Sequence, residues 1–572
     1  METINYPFGY QRIKTREISI GPLRIGGDNP ICLQSMLTSS TQDAVKCLEE
    51  IKSLQAVNCS LIRLTIPSRK DLDNVVEIRR LMKEEGIAIP LVADIHFSPA
   101  LAVDACDLFE KIRINPGNYS DKPKQTKSGS GIISFEEGYD RMKDTIKPLV
   151  VKLKQTRRAL RVGVNQGSLS SRVMERFGDS PQGMVYSALE MVDLFEEHGF
   201  DQIVVSLKSS NPVVVQKAYR LLIEKQKGKK AVPLHLGVTE AGNGIMGRIK
   251  SLVGIGVLLL DGIGDTIRVS LTEPSANEII FAREFLSQLF PPGEEPLKCK
   301  DRGFWQRDLF QTRVLNSSSS INGEIVGEGT PIKLGSPDGI RLPSTEVPLE
   351  TDFFFRQTGN RLSFEPDTES GSVIKTLDDN LAEKKGDHQG PLAFEGDNPL
   401  FEVRRFYHAI GGQASFPVGY KLPATLDYVI STHLSGLLSE GLLDFLLIPE
   451  KISSEDLYRL VCILQATRSR ILTTDYIICP SCGRTLFDIQ SAAEKIKERT
   501  SHLIGLKIGI MGCIVNGPGE MADADFGYVG SGAGNVDLYF GQEQVKRGIA
   551  EEDAVDCLIA LIKEKGFWKE TG

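Results

Sequence analysis

The first half of the chain alternates between two patterns of apolar and polar positions. Short runs rich in β-branched and apolar residues recur, and between them lie longer segments with apolar residues three or four positions apart, such as 71–85, 183–198 and 212–225. The short runs are typical of buried strands and the longer segments of amphipathic helices. The pattern predicts eight strands, at Ile31–Met36, Leu61–Pro67, Leu91–Phe97, Lys111–Pro116, Leu160–Asn165, Ile203–Lys208, Leu234–Thr239 and Thr266–Leu271.

Strands that alternate with helices in this way fit either a (β/α)8 barrel of the TIM type or a doubly wound parallel sheet. No glycine-rich dinucleotide-binding fingerprint follows the first predicted strand, so the barrel is favoured. Just before that strand, segment 15–27 alternates around Gly21-Pro22, which predicts a β-hairpin.

The pattern changes at segment 291–296, whose prolines and glycine indicate a linker. We predict an α/β chain in three parts: a substrate-binding TIM-type barrel over 1–290, an inserted α/β domain over 291–470, and an α+β module over 471–572. The inserted part contains no set of candidate ligands. We therefore predict a structural role for it.

Composition excludes two classes of partner. The formal net charge of −8 argues against nucleic acid. No apolar run approaches the roughly 20 residues that cross a bilayer, and the first residues resemble neither a secretory signal nor a transit peptide. We expect a soluble protein of the bacterial cytoplasm, rather than of the plastid stroma, with no membrane partner.

Charged and polar side chains follow the predicted strands at the end where barrels place their chemistry. They are Arg63, Asp94 with His96, Arg113 with Asn115, Arg161 with Asn165, Lys208, Thr239 with Glu240, and Arg268 with Ser270. Cations that converge on one barrel mouth repel each other unless an anion lies among them, and the forked guanidinium group matches phosphate oxygens. The sequence therefore predicts a ligand with a diphosphate group.

Three features near this mouth allow more than one interpretation. Glu240 is a carboxylate among cations, so it is either an ion-pair partner or a group that transfers a proton near the reacting carbons. His96 is predicted to contact the ligand, whereas His235 lies inside a strand and has no assigned role. The loop 118–131 fits either a lid over the anion or an inert surface insertion.

Three cysteines near the carboxyl end have the spacing of a metal site. Two residues separate Cys479 from Cys482, and Cys513 follows a predicted strand in a glycine-rich loop that also contains Glu520. Two thiolates at this spacing and a distant third can hold an iron–sulfur cluster. With Glu520 as the fourth ligand, one iron would be held more weakly and could accept a substrate oxygen.

A zinc ribbon is the structural alternative, but it requires a second Cys-x-x-Cys pair that Cys513 lacks. His502 and Cys557 are further candidate ligands, although His502 precedes a strand and Cys557 lies on the apolar face of the last predicted helix. Cysteines outside the 479, 482 and 513 group occur singly. We expect them to be buried apolar side chains in a reducing compartment.

Several motifs together resemble the 4-hydroxy-3-methylbut-2-enyl diphosphate synthase (HMBPP synthase) family, in its long form with a central insertion. These motifs are Gln34-Ser35-Met36, Asp94–Phe97, Arg113–Asn118, Gly163–Asn165, Gly237–Gly242, Gly264–Leu271, Cys479–Arg484 and Met511–Glu520. They cover the barrel and the carboxyl-terminal module, and the last motif is the most specific.

The resemblance implies an oxidoreductase of the methylerythritol phosphate route to isoprenoids. The substrate would be 2-C-methyl-D-erythritol 2,4-cyclodiphosphate, whose ring is opened in a two-electron reductive dehydration. A [4Fe-4S] cluster on Cys479, Cys482, Cys513 and Glu520 would deliver electrons from ferredoxin or flavodoxin. The implied diphosphate contacts are Arg63, Arg113, Arg161, Asn165, Lys208, Thr239, Arg268 and Ser270.

Two questions stay open at the level of sequence. An iron–sulfur redox sensor or electron carrier with a phosphate-binding barrel would also explain the cysteine motif, although not Glu240 among the cations. The module could cap the barrel of a partner in a homodimer, as in the compact form of the family, or the barrel of its own chain.

Overall fold

The fold is known from a computed structural model of the chain. The structure describes residues 3–7, 9–119, 135–292, 304–308, 319–321, 324–326, 331–337, 349, 351–358, 361–365, 369–374, 391–410, 414, 417–480, 484–514, 517–521 and 523–570. The chain forms two compact units. The barrel–module unit comprises Ile13–Ile255, Ile263–Glu284 and Thr474–Gly572, and the insertion unit comprises Met1–Arg12, Gly256–Gly262 and Phe285–Thr473.

The barrel–module unit contains the predicted eight-stranded parallel barrel. Its strands pair in chain order, and the eighth pairs with the first. A single bridge between Val205 and Leu234 connects the sixth strand to the seventh. The strands are Cys32–Met36, Leu61–Thr65, Leu91–Asp94, Lys111–Ile114, Ala159–Asn165, Ile203–Lys208, His235–Leu236 and Thr266–Ile267.

Helices follow these strands. Three of them begin with a proline preceded by a capping residue, since the side chains of Ser98, Ser180 and Asn211 accept hydrogen bonds from the first helical turn. The helices are Ala44–Ala56, Arg69–Glu84, Pro99–Ala105, Pro116–Tyr119, Phe135–Thr156, Ser171–Phe177, Pro181–Glu197, Pro212–Lys225, Gly244–Ser251 and Ser275–Leu289.

The seventh and eighth strands are shorter than predicted, because strand pairing ends before the residues that carry the predicted site side chains. Beyond Leu236, the Thr239 N–H donates to the carbonyl of Ser209 at 3.1 Å instead of to a strand. The residues that follow these strands therefore lie in loops at the barrel mouth.

A hairpin closes the amino-terminal end of the barrel, as the sequence predicts. Its strands, Ile18–Ile20 and Leu23–Ile25, pair antiparallel. Ile18, Ile20 and Ile25 are buried against residues that start the barrel strands, including Cys32 and Leu61. The opposite, carboxyl-terminal end is left for the site.

The carboxyl-terminal module is a five-stranded sheet with two helices. The strands, in spatial order, are Asp475–Ile478, Lys507–Met511, Phe526–Gly532, Asn535–Phe540 and Glu543–Ala550. The helices Ile489–Thr500 and Glu551–Glu564 pack their apolar faces, including Ile496 and Leu558, into the core of the sheet. The fifth strand was not predicted, because its residues are mostly polar and exposed.

The insertion unit contains both helices and a closed seven-stranded sheet, as expected for an α/β domain. Strand Arg361–Glu365 is antiparallel to the other six, which are Lys333–Pro337, Phe353–Thr358, Glu369–Ile374, Leu392–Phe394, Val418–Lys421 and Phe445–Leu447. Its helices include Val257–Leu260, Pro399–Ala409, Tyr428–Ser439 and Ser454–Ala466, and two short strand pairs are Thr3–Pro7 with Phe304–Asp308 and Ser319–Ile321 with Glu324–Val326. The amino-terminal strand thus belongs to this unit.

Among the described residues, no helix is both long and apolar enough to span a membrane. The single cysteines Cys32, Cys47, Cys59, Cys106 and Cys462 are buried, as predicted. Cys557 is partly buried against the module core. Cys299 and most of the 118–131 loop lie outside the described residues.

Candidate functional site

One pocket in the barrel–module unit brings together the side chains predicted from distant parts of the sequence. It lies where the carboxyl-terminal ends of the strands face the module. From the predicted set it is lined by Arg63, His96, Arg113, Arg161, Asn165, Lys208, Thr239, Glu240, Arg268, Ser270, Cys479, Cys513 and Glu520. Cys482 lies outside the described residues.

Two of the five barrel cations have carboxylate partners within hydrogen-bond distance. Arg113 donates to Asp94 at 2.9 Å and to the Gly163 carbonyl at 3.0 Å. Arg268 pairs with Glu278 at 3.1 Å. These pairs fix the direction of two guanidinium groups at the mouth.

The remaining barrel cations have few partners. Arg161 is 1% exposed, donates from Nε to Ser206 Oγ at 2.8 Å, and has no partner for Nη1 among the described residues. Arg63 contacts the Met36 sulfur and lies 3.9 Å from Asp94. Lys208 is buried, and in the described part of the chain no carboxylate forms an ion pair with it. These cations are placed to bind an anion.

The electrostatics of the pocket are dominated by burial and by its positive charges. Burial, and then the positive charges of Arg161 and Arg63, hold the pKa of Lys208 well below its ordinary value. Burial alone would raise the pKa of Asp94, yet Arg113 and Arg63 hold it well below its ordinary value. A diphosphate bound here would relieve the repulsion among the cations.

His96 is a neutral side chain in this pocket. Its Nε2 lies 2.6 Å from Arg113 Nη1 and 3.5 Å from Asp94. Burial, and then the charge of Arg113, lowers the pKa of His96 to about 3. The ring therefore serves Arg113 as a hydrogen-bond acceptor and adds no charge to the site.

His235, which had no assigned role, is fully buried inside the barrel. Neither of its ring nitrogens has a hydrogen-bond partner among the described residues. Burial, and then the charge of Arg161, holds the pKa of His235 well below its ordinary value. It is a neutral side chain beneath the mouth and does not line the pocket.

Glu240 faces the carboxylate of Glu520, and no ion pair to Glu240 is found in the described part of the chain. Burial, and then the negative charge of Glu520, raises the pKa of Glu240 well above its ordinary value. The pair therefore shares a proton that resides on Glu240, which donates to Glu520. Its other oxygen, Oε2, is buried without a partner among the described residues.

The backbone at Glu240 is strained, with φ at 50°. This left-handed conformation is uncommon for a residue with a side chain and persists where surrounding structure enforces it. Part of that enforcement is visible, because the carbonyl of Glu240 accepts a hydrogen bond from Ile478 N–H at 3.3 Å. A module strand thus fixes the loop that presents Glu240.

Two candidate metal ligands of the module follow the first two strands of its sheet, and a third ends a short helix. Cys479 follows Asp475–Ile478, and Cys513 follows Lys507–Met511. Both thiols are partly exposed and neither is in a disulfide. Glu520 ends the short helix Gly517–Glu520 and accepts hydrogen bonds from Asn165 and from Thr239, the latter at 3.2 Å. No group of three candidate ligands converges among the described residues, which do not include Cys482.

The module meets the barrel of its own chain. Thr272 Oγ1 donates to the Cys479 carbonyl at 3.2 Å, and Lys497 donates to Asn243 at 2.8 Å. The backbones of barrel and module are in direct contact at Gly167 and Gly519. No side chain fits between them, since a Cβ added to Gly167 would lie 1.9 Å from the Gly519 carbonyl oxygen. The single chain therefore places Cys479, Cys513 and Glu520 over its own barrel.

Several pocket residues were not among the predicted site residues. Met36 and Arg484 are two of them. Each belongs to a motif that supported the family resemblance, namely Gln34-Ser35-Met36 and Cys479–Arg484. Those motifs were the sequence signal that could have identified both residues as part of the site.

Comparisons with known proteins agree with the motifs. The model of the GcpE TIM-barrel domain matches residues 15–283, and the model of the GcpE protein C-terminal domain matches residues 475–564.

Three relatives match nearly the whole chain. The 4-hydroxy-3-methylbut-2-en-1-yl diphosphate synthase (flavodoxin) of Leptospira interrogans is 38% identical, over 99% of this chain and 98% of that protein. The flavodoxin enzyme of Chlamydia muridarum is 38% identical, over 98% of both chains. The chloroplastic ferredoxin enzyme of Oryza sativa is 36% identical, over 98% of this chain and 88% of that protein. The chain therefore belongs to the GcpE family, the family of 4-hydroxy-3-methylbut-2-en-1-yl diphosphate synthases.

Proposed function

We propose that this pocket binds 2-C-methyl-D-erythritol 2,4-cyclodiphosphate and converts it to 4-hydroxy-3-methylbut-2-enyl diphosphate, a step of isoprenoid biosynthesis by the methylerythritol phosphate pathway. The reaction consumes two electrons and two protons, opens the ring and releases one water. The observation that carries the proposal is that five barrel cations and the donors Cys479, Cys513 and Glu520 line one pocket.

The donor set fits an iron–sulfur centre. Two thiols, which bind iron as thiolates, lie in the same pocket as a carboxylate that is already buried and oriented by Asn165 and Thr239. We assign Cys479, Cys482, Cys513 and Glu520 as the residues that would hold a [4Fe-4S] cluster. When bound, the cluster supplies electrons to the substrate one at a time.

The barrel side chains bind and orient the diphosphate. We assign this role to Arg63, His96, Arg113, Arg161, Asn165, Lys208, Thr239, Arg268 and Ser270. Asp94 and Glu278 hold the guanidinium groups of Arg113 and Arg268 in place. These two groups are therefore already oriented when the diphosphate binds. Preorganised donors of this kind stabilise the charge that develops on the diphosphate as the ring C–O bond breaks.

Glu240 is the group that supplies a proton. Its carboxyl is protonated in the buried pair with Glu520. Oε2, which has no partner among the described residues, can accept a hydrogen bond from a substrate hydroxyl and position it, and the proton that Glu240 shares with Glu520 is the one that it delivers. Protonation of that hydroxyl allows it to leave as water, which is general acid catalysis.

The remaining assignments rest on the sequence and on the family. We propose flavodoxin or ferredoxin as the electron donor, since relatives are named for each. We keep the division into 1–290, 291–470 and 471–572 as the functional division of the chain, and a location in the bacterial cytoplasm. Whether two chains form a homodimer does not affect the proposal, because one chain contains the pocket lining.

A redox sensor or electron carrier is the less favoured function. Such a protein needs neither five barrel cations that line one pocket nor a protonated Glu240 beside the cluster ligands. Reconstituted protein that keeps its chromophore but yields no product from the cyclodiphosphate and a strong reductant, under anaerobic conditions, would favour the carrier.

Replacement of Glu240 by Gln tests the proton-transfer role. The amide has the same shape as the carboxyl but cannot donate an acidic proton. We expect turnover to fall at least about 100-fold, the lower range for general acid–base catalysis. Turnover is measured anaerobically on reconstituted protein, and the visible spectrum of the cluster is recorded on the same sample.

Two controls accompany this test. Cys513→Ser should lose the brown chromophore, and its visible spectrum serves as the reference for a damaged cluster. Glu77→Gln, at an exposed carboxylate that pairs with Arg80, should leave turnover unchanged. Turnover of Glu240→Gln within about twofold of the parent, with an intact spectrum, would contradict the role of Glu240.

A further inference from the structure

Arg484 is a pocket cation contributed by the module rather than by the barrel. It lines the same pocket as the diphosphate residues, together with Cys479, Cys513 and Glu520. Among the described residues of the lining it is the one Lys or Arg side chain that comes from the module. It therefore faces the barrel cations from the opposite side.

The guanidinium of Arg484 has no protein partner in the described part of the chain. Its Nε is buried without a hydrogen-bond partner, and it forms no ion pair there. Its charge reaches the barrel side of the pocket, since it contributes to lowering the pKa of His96, after burial and Arg113. A buried, unpaired donor beside like charges is costly unless a ligand satisfies it.

The backbone that carries Arg484 is anchored to the module core. Leu486 N–H donates to the Gly512 carbonyl at 3.1 Å, and Gly534 N–H donates to the Leu486 carbonyl at 3.3 Å. A Cβ added to Gly512 would lie 2.9 Å from Thr485 Oγ1, so the two loops are packed tightly. Arg484 thus projects from a fixed segment next to the loop that contains Cys513.

We propose that Arg484 binds the diphosphate of the substrate from the module side, so that the anion is held between barrel and module. This inference rests on the proposed function, because it assumes a diphosphate in the pocket. The bound anion would join the guanidinium groups of Arg161 and Arg484, which belong to different parts of the unit. Substrate binding would therefore strengthen the attachment of the module to the barrel.

The test separates substrate binding from turnover. In reconstituted enzyme, Arg484→Gln should raise KM for the cyclodiphosphate roughly 10-fold or more, the effect of one hydrogen bond to a charged group. We expect kcat to stay within about threefold and the cluster spectrum to be unchanged. Inorganic pyrophosphate, used as a competitive inhibitor, should lose affinity by a similar factor.

Matched variants complete the design. Arg484→Lys keeps the charge and should recover part of the affinity, whereas Arg484→Met should behave like Arg484→Gln and replaces it if that variant folds poorly. Arg499→Gln, in the same module but paired with Asp556 on the surface, should leave KM unchanged.

Each outcome decides one question. Parent enzyme that turns over the cyclodiphosphate, with KM and pyrophosphate inhibition unchanged in Arg484→Gln and Arg484→Met, would overturn the role of Arg484 and leave the function standing. Parent enzyme with an intact cluster that neither binds nor converts the cyclodiphosphate would instead overturn the proposed function.

Discussion

Two fully buried arginines, one in each unit, differ in what surrounds them. In the insertion unit, Arg404 donates to Asp261 at 2.8 Å, to both carboxylate oxygens of Glu440 and to the Pro7 carbonyl at 3.0 Å. In the barrel–module unit, Arg161 donates to one hydroxyl, and its Nη1 has no partner among the described residues. Both side chains are inaccessible to water, at 0% and 1% exposure.

The difference separates a structural cation from a binding cation. Removal of a charge from water costs several kcal/mol, which carboxylate partners and hydrogen bonds must offset. Arg404 receives that compensation from its own unit, so its role is to hold segments together. Arg161 does not receive it from the described residues, and an anionic ligand would supply it.

Replacement of Arg404 by Met should cause the largest loss of stability. It leaves Asp261 and Glu440 buried without their cation, which typically costs about 3–5 kcal/mol. We expect urea unfolding of this unit to shift to lower concentration by a corresponding amount. Far-UV circular dichroism recorded across the urea titration measures this shift.

The neighbouring Arg405 provides the control. Its side chain is 20% exposed and lies 3.9 Å from Glu402, so Arg405→Met should cost less than about 1 kcal/mol. If Arg404→Met were no more destabilising than Arg405→Met, Arg404 would not be a structural cation.

Replacement of Arg161 by Met should weaken substrate binding without lowering the stability of the fold. Affinity for the cyclodiphosphate, measured by calorimetry, should fall roughly 10–150-fold, since a hydrogen bond to a charged group contributes about 1.5–3 kcal/mol. The free energy of unfolding should be unchanged or higher, because a buried charge without a counter-ion has been removed.

Arg158 is the matched control, since it immediately precedes the same strand, does not line the pocket and donates to the Cys106 carbonyl at 3.1 Å. Arg158→Met should leave substrate affinity unchanged. A loss of stability in Arg161→Met as large as that in Arg404→Met would show that Arg161 is a structural cation after all.

The positions of the pocket cations were easier to predict from the sequence than that of Arg404, for a physical reason. Arg161 and Lys208 lie in parallel barrel strands, which bring such residues to one mouth, so position in the sequence implies position in space. Arg404 depends on Asp261 and Glu440, which come from unrelated segments, and no periodicity connects them. The Cys513–Glu520 loop was likewise predictable because its members are close in the chain.

The details of the site depended on contacts that no local pattern encodes. The left-handed backbone of Glu240 and the close approach of Gly167 to Gly519 both arise from docking of the module on the barrel. The pairing of Glu240 with Glu520 has the same origin, and it replaced the interpretation of Glu240 as an ion-pair partner of an arginine.

Lys111 extends the comparison to a cation that is buried below the mouth and has no assigned ligand. It is 0% exposed, and its Nζ has no partner among the described residues. Burial, and then the charges of Arg161 and Arg63, lowers the pKa of Lys111 to about 7, although Cys32 acts in the other direction. Lys111 should therefore destabilise the folded chain.

The sign of the pH dependence follows from this shift. Because the folded pKa lies below the unfolded value of about 10.4, the unfolded chain binds more protons between these two values, and stability from this group rises with pH across that window. Lys111→Met should therefore be more stable than the parent by roughly 1–2 kcal/mol near pH 6, and the advantage should shrink towards pH 10.

Urea midpoints of the parent and Lys111→Met at pH 6, 8 and 9.5 measure this effect. Lys46→Met is the control, because the Lys46 side chain is 71% exposed and its replacement should change stability little. A Lys111→Met variant less stable than the parent, or an advantage that stays constant from pH 6 to 9.5, would mean that Lys111 has a counter-ion in the folded chain. Lys111 would then belong with Arg404 among the structural cations.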